Sequence, residues 1–187
     1  MELKDISKDI ETTYRLGENE RVAFLMENRD GEIIFELTGT NAVARIFALY
    51  DGTEDDRFTP RIIQRHFAPD TVSTLTVRAR LDGSSSLRFR GLVEIDRGAT
   101  RSDARQDIRA LLLSPEASAS AMPELEIDTN DVSCSHAASI APPDAEQLAY
   151  LATRGLSKAQ ATRLLTDGFF HDTLADMRRL ADNVQHV

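Results

Sequence analysis

Between residue 20 and about residue 133, apolar side chains alternate with polar ones in short runs bounded by Gly, Asp, Asn or Pro, the pattern of β-strands separated by turns. The first run, 21–29, ends at Asp30-Gly31, a dipeptide suited to the positive φ angles of a tight hairpin turn. In the next, 32–38, Ile33, Phe35 and Leu37 fall on one face. Residues 42–50 close at Asp51-Gly52, 53–57 read as a polar loop, and 58–67, 71–81 and 86–96 continue the series, punctuated by Gly83 and Gly98. Strands without helices between them exclude a doubly wound parallel sheet and leave a sandwich, a barrel or a β-solenoid. Alternation alone favours the sandwich, and no strict repeat is visible that would argue for a solenoid.

Residues 98–128 read differently. Ala and Ser are frequent, Leu111-Leu112-Leu113 is a continuous apolar run, and Pro115 and Pro123 prevent a long helix. Short, tightly stacked strands with small residues at the corners would account for it. After Ile140 the pattern becomes helical. Pro142-Pro143 fixes an extended entry, Asp144 and Gln147 form a capping-box pattern, and a helix over 145–153 stops at Arg154-Gly155. Ser157 and Gln160 repeat the box for a second helix, carrying Leu164 and Leu165 and ending at Gly168. A third helix begins near His171 or Asp172 and continues through Leu174, Met177, Leu180 and Val184, and the tail 182–187 is expected to fray.

Composition narrows the function more than the fold. With 187 residues, 41% hydrophobic and 28% charged, the chain suits one core plus a small appendage. A net charge of -9 argues against non-specific binding to nucleic acid or to anionic membranes, both of which need a basic surface. The charged N-terminal segment is unlike a signal peptide, and no apolar run approaches the roughly 20 residues that span a bilayer, so a cytoplasmic protein is expected. One cysteine allows no internal disulfide, and no C-x-x-C is present.

The chemistry concentrates in Asp131-Val-Ser-Cys-Ser-His-Ala-Ala. In an extended segment Cys134 and His136 point to the same side, and thiolate with imidazole suits iron or zinc. Two ligands cannot complete a four-coordinate site, so the others would come from another subunit or from bound sulfide or thiols. The plainer reading is a small buried hydrophobe beside a satisfied core histidine. A Cys–His nucleophile lacks an orienting third group, and no P-loop, G-x-G-x-x-G, G-x-S-x-G or H-E-x-x-H is present, so nothing supports an enzyme. His66 reads as a turn residue, His171 as a solvated helix-start residue, and Gln106 as either a lining residue of a β-helix interior or an ordinary buried, hydrogen-bonded glutamine.

Several segments together resemble the SufB/SufD family of iron–sulfur cluster assembly scaffolds. They are His66-Phe-Ala-Pro-Asp-Thr-Val-Ser73, Ser86-Leu-Arg-Phe-Arg-Gly-Leu-Val-Glu-Ile95, Gln106 ahead of Leu111-Leu-Leu-Ser114, Pro123-Glu-Leu-Glu-Ile127 and Val132-Ser-Cys-Ser-His136. Gln147-Leu-Ala-Tyr-Leu151, Arg154-Gly-Leu156 and Gly168-Phe169 follow in the family's order. The resemblance implies a mostly β fold, a right-handed parallel β-helix over 1–141 followed by a small α-helical subdomain over 142–187. It further implies a non-enzymatic scaffold subunit that pairs through its β-helix with a SufB-like chain or a second copy of itself. Such a subunit binds a SufC-like ABC ATPase through its C-terminal helices and shares a nascent iron–sulfur cluster at the subunit interface.

Carried over by position, His136 is the first ligand candidate and Cys134 the second, and Tyr150, Arg154, Gly155, Gly168 and Phe169 are candidate partner contacts. Leu151, where SufB-type chains carry a cysteine, places the sequence nearer the SufD-like branch. Ala137 replaces the glycine that usually follows the histidine, and Ala149 replaces a usual phenylalanine. The chain is also shorter than typical members. An alternative is a shortened paralogue that binds the ATPase and no longer assembles clusters.

Overall fold

A computed structural model describes residues 1–182. Twelve strands form two sheets in which every pairing is parallel. The first sheet contains β1 (Glu2–Asp5), β3 (Arg21–Glu27), β5 (Val43–Gly52), β8 (Val72–Leu81), β10 (Ser102–Leu112) and β12 (Val132–Ala141), stacked in that order. The second contains β2 (Thr13–Leu16), β4 (Glu32–Leu37), β7 (Arg61–His66), β9 (Ser86–Ile95) and β11 (Ser118–Ile127), with the two-residue β6 (Arg57–Phe58) beside β9. The chain alternates between the sheets and climbs one strand at each pass, giving a β-solenoid of about four turns.

The run boundaries in the sequence match these strands closely, but their pairing differs from the hairpin expectation at Asp30-Gly31. Gly31 does have positive φ, at 87°, yet the turn carries the chain from one sheet to the other instead of reversing it within a sheet. The alternation is that of a solenoid wall. Inward residues of β8 and β10 are buried and most outward ones partly exposed, and facing inward rows make the main core of Phe24, Phe35, Ile46, Tyr50, Leu75, Val77, Phe89 and their neighbours. Residues 98–128 form two full-length strands. Pro123 lies on β11, the edge strand of its sheet, where a residue without an N–H is tolerated.

One corner shows why the repeat escapes notice. Asn19, Asn41, Asp70 and Arg101 all adopt φ near +60° and stack turn over turn. The Asn41 side-chain amide donates to Asn19 at 3.2 Å, and the Arg101 guanidinium clasps the Asp70 carboxylate at 2.6 and 2.7 Å. Positions equivalent in conformation carry three different side chains, so the period is written in backbone geometry and not in residue identity.

The helical part has two helices where three are expected. α1 (Ala145–Thr153) is capped by the Asp144 carboxylate, which accepts from the backbone N–H groups of Glu146 and Gln147, and Gly155 follows its end at φ 86°. The second box forms in full, with Ser157 N–H donating to Gln160 Oε1 at 2.9 Å and Gln160 N–H to Ser157 Oγ at 3.3 Å. The helix it starts, α2 (Lys158–Asp182), passes through Gly168 without a break, so the expected stop at Gly168 and restart near His171 do not occur. The cause is tertiary. α2 lies on the outer face of the first sheet, where Ala23, Phe47 and Leu25 meet Leu174 and Met177, and Arg78 and Arg80 stack on Phe169 and Phe170. This cover explains why β5 is buried almost throughout, on both of its faces. Val184 and most of the tail lie outside the described residues. No described helix is long and apolar enough to cross a membrane.

Candidate functional site at the open end of the solenoid

The two ends of the solenoid differ. At the β1 end the inward residues of the first turn, Ile6, Tyr14 and Leu16, are buried. The Arg29 guanidinium donates to the Ile6 carbonyl and the Tyr14 hydroxyl, both at 2.8 Å, and to the Glu11 carbonyl, tying residues 6–12 across this end. Beyond them β1 offers only Glu2 and Lys4 in its inward register.

The other end is open. On β10, alternate residues from Ser102 to Ala110 are buried in the interior, and the in-register pairing with β12 places Val132, Cys134, His136, Ala138 and Ile140 in the same columns one layer further out. On the facing sheet, Leu125 and Ile127 continue the columns of Val93 and Ile95. Those predecessors are buried, whereas Leu125, Ile127 and Ile140 are nearly 40% exposed. The last turn thus presents core-type side chains with no further turn to cover them.

Cys134 and His136 belong to this ring, on the same inward side of β12 as their spacing indicates. Cys134 sits over Ala104, half-buried among Val93, Ile95, Ala99 and Val132. Burial pushes its thiol pKa up, a backbone hydrogen bond at Ala104 opposes this, and Asp103 adds to the rise. A thiol of this kind is a poor nucleophile at neutral pH and becomes thiolate on binding a metal. His136 sits over Gln106 and is exposed. Among the described residues no three His, Cys, Asp or Glu side chains converge to hold a metal, so this pair is at most part of a ligand set.

His66 is not a turn residue. It ends β7, is 1% exposed, and touches Thr71 Oγ1 through Nδ1 at 2.7 Å and Ser73 Oγ through Nε2 at 2.8 Å. Burial lowers its pKa from 6.5 to about 4, leaving a neutral ring. Gln106 does line the interior, 2% exposed. His171 is exposed well inside α2.

The candidate partner contacts form two groups. Tyr150, Arg154 and Gly155 lie together at the end of α1, with Tyr150 57% exposed and its hydroxyl accepting from Arg154 at 3.1 Å. Gly168 and Phe169 are in α2, where Phe169 is held against Arg78 and Gly168 has open space around its Cα. α1 has no fully buried residue; Leu148 and Leu151 are half-buried, and Ala149 and Tyr150 are exposed.

Residues 26–169, most of the chain, match the family model for the SufBD core domain of the SUF system for FeS cluster assembly. The chain belongs to the SufBD family. It is 36% identical over 146 residues to the iron-sulfur cluster assembly protein SufD of Bacillus subtilis, covering 75% of this chain and 33% of that protein. It is 33% identical over 162 residues to an iron-sulfur cluster assembly SufBD family protein of Mycobacterium tuberculosis, covering 79% and 41%, and 28% identical over 173 residues to one of Mycobacterium leprae, covering 86% and 44%. This SufBD chain therefore spans between a third and under half of the length of these relatives, and the parallel solenoid agrees with the fold that the sequence resemblance implied.

Alternation along the strands could have flagged Leu125 and Ile127, since both follow the inward register of β11. What no alternation reveals is that β11 and β12 are the last strands, because an inward residue there looks like any other core position.

Proposed function

We propose that this SufBD chain is a scaffold subunit of iron–sulfur cluster assembly whose open solenoid end meets a SufB-like chain or a second copy of itself. The observation that carries the reading is the position of Cys134 and His136, side by side in the uncovered inward ring. A partner ring would cover Leu125, Ile127 and Ile140 and supply the missing ligands in the same step, so the nascent cluster, as cargo, is shared between two chains. A SufC-like ABC ATPase would grip α1 and the start of α2 around Tyr150 and Arg154, in line with division into a core over 1–141 and a helical part over 142–187. Work by the ATPase would then rotate the paired subunits and open their interface. The protein would act in the cytoplasm, where a single unpaired thiol stays reduced.

Anaerobic reconstitution with iron and sulfide, on the chain purified with its ATPase, tests this. His136→Ala is expected to lower cluster uptake at least several-fold, and unchanged uptake would remove the ligand role. Absence of uptake by the unaltered chain, with ATPase binding retained, would favour the pure interaction protein instead.

A further inference from the structure

A chain of buried polar groups runs through the interior toward the open end. The Thr71 hydroxyl meets the Ala68 carbonyl at 3.1 Å, Ser102 Oγ at 2.7 Å and His66 Nδ1 at 2.7 Å, and the other ring nitrogen of His66, Nε2, meets Ser73 Oγ at 2.8 Å. A set of directions that satisfies all of them has Thr71 donating to Ala68, His66 Nδ1–H donating to Thr71, and the Ser73 hydroxyl donating to His66 Nε2. Ser73 Oγ accepts from Gln64 Nε2–H at 2.6 Å, and Gln64 Oε1 faces Gln106, whose Nε2–H donates to it at 3.0 Å. In this arrangement Gln106 Oε1 is left as a buried acceptor with no partner.

Leaving such an oxygen unpaired is costly, and native interiors rarely do so. The sequence also keeps room for it, because a Cβ on Gly91 would stand 2.6 Å from Gln106 Oε1. The layer above contributes Ala119, Ala121, Pro123, Leu125 and Ile127 from β11 and Val132, Cys134, His136, Ala138 and Ile140 from β12. Among these inward side chains only Cys134 and His136 carry a hydrogen-bond donor. His136 is the one in register with Gln106.

We infer that Gln106 is a positioning residue for His136, its buried Oε1 accepting the imidazole N–H that turns inward and so presenting the other ring nitrogen, lone pair free, to metal at the open end. This rests on the ligand role proposed for His136. A ligating histidine needs its second nitrogen held by an acceptor to fix tautomer and ring orientation, and loss of that acceptor commonly weakens metal binding 10–100-fold. The bond from Gln106 Nε2–H to Gln64 Oε1 uses the amide's nitrogen side and leaves Oε1 as the side free for His136.

The test uses the full chain with 15N-labelled imidazoles, read by NMR for the His136 tautomer, together with iron and sulfide uptake in the ATPase complex. The unaltered chain is expected to hold His136 in one tautomer. Gln106→Leu should give averaged nitrogen shifts and about tenfold weaker uptake, while Gln106→Glu, which keeps an acceptor, should retain one tautomer. If Gln106→Leu fails to fold, Gln106→Asn, which draws the acceptor back by one methylene, makes the same comparison. A single tautomer and full uptake in the folded Leu or Asn variant would overturn the inference. If His136→Ala lowers uptake while those variants do not, only the role of Gln106 falls. If His136→Ala has no effect, the ligand reading itself has failed.

Discussion

His66 shows what the solenoid interior does to a single ionisable group. Its pKa falls from 6.5 to about 4, chiefly through burial, with Asp103 opposing the fall. A histidine with depressed pKa contributes stability that is complete above 6.5 and is lost as pH drops toward 4, because the unfolded chain takes up the proton first. The difference corresponds to roughly 3 kcal/mol at most. Urea denaturation at pH 7 and pH 4.5 should therefore show a loss that shrinks in His66→Asn, and equal losses in both proteins would contradict the burial account. The sequence gives no sign of this environment, since His66 stands beside a Pro- and Asp-containing turn and looks like part of it. Cys134 and His136 are more legible: spacing alone puts them on one face. Which face that is depends on β10 packing beneath them, a contact about 30 residues away in the chain.

At the level of elements, strand limits were readable and strand partners were not. Asp-Gly serves a hairpin and a solenoid corner alike, since both need the same positive φ, so local sequence could not choose between reversing within a sheet and crossing to the next. Gly168 looks like a helix stop for a related reason. A glycine permits a helix stop without requiring one, and the apolar outer face around Phe47 keeps α2 running. The outer face of the second sheet holds a readable ladder as well. Arg15, Glu36, Arg65 and Glu94 alternate in charge and pair in succession, but the next rung, Glu126, is again acidic and stands in register beside Glu94. Glu126→Arg should replace a repulsion with an exposed ion pair and stabilise the fold by about 0.5–1 kcal/mol. A urea midpoint that fails to rise, or falls, would show that the ladder carries no weight at its end.

For the whole molecule, the contrast between the two ends makes the proposed assembly through the open ring testable. Ile127→Lys places a charge in the uncovered ring, where it can reach solvent in the single chain but not in a pair. Association with a SufB-like chain or with itself should weaken at least tenfold, while thermal stability of the isolated chain changes little, and sedimentation velocity separates the two effects. Unchanged association would move the interface elsewhere. Strand-edge stacking is the same geometry that drives fibre growth when both ends of a solenoid accept a neighbour. Here the β1 end is tied down by Arg29 and edged with Glu2 and Lys4, so its inward register offers no apolar ring like that of β11 and β12. An open ring at one end and a charged, tied-down edge at the other is a geometry that favours closed pairs over fibres.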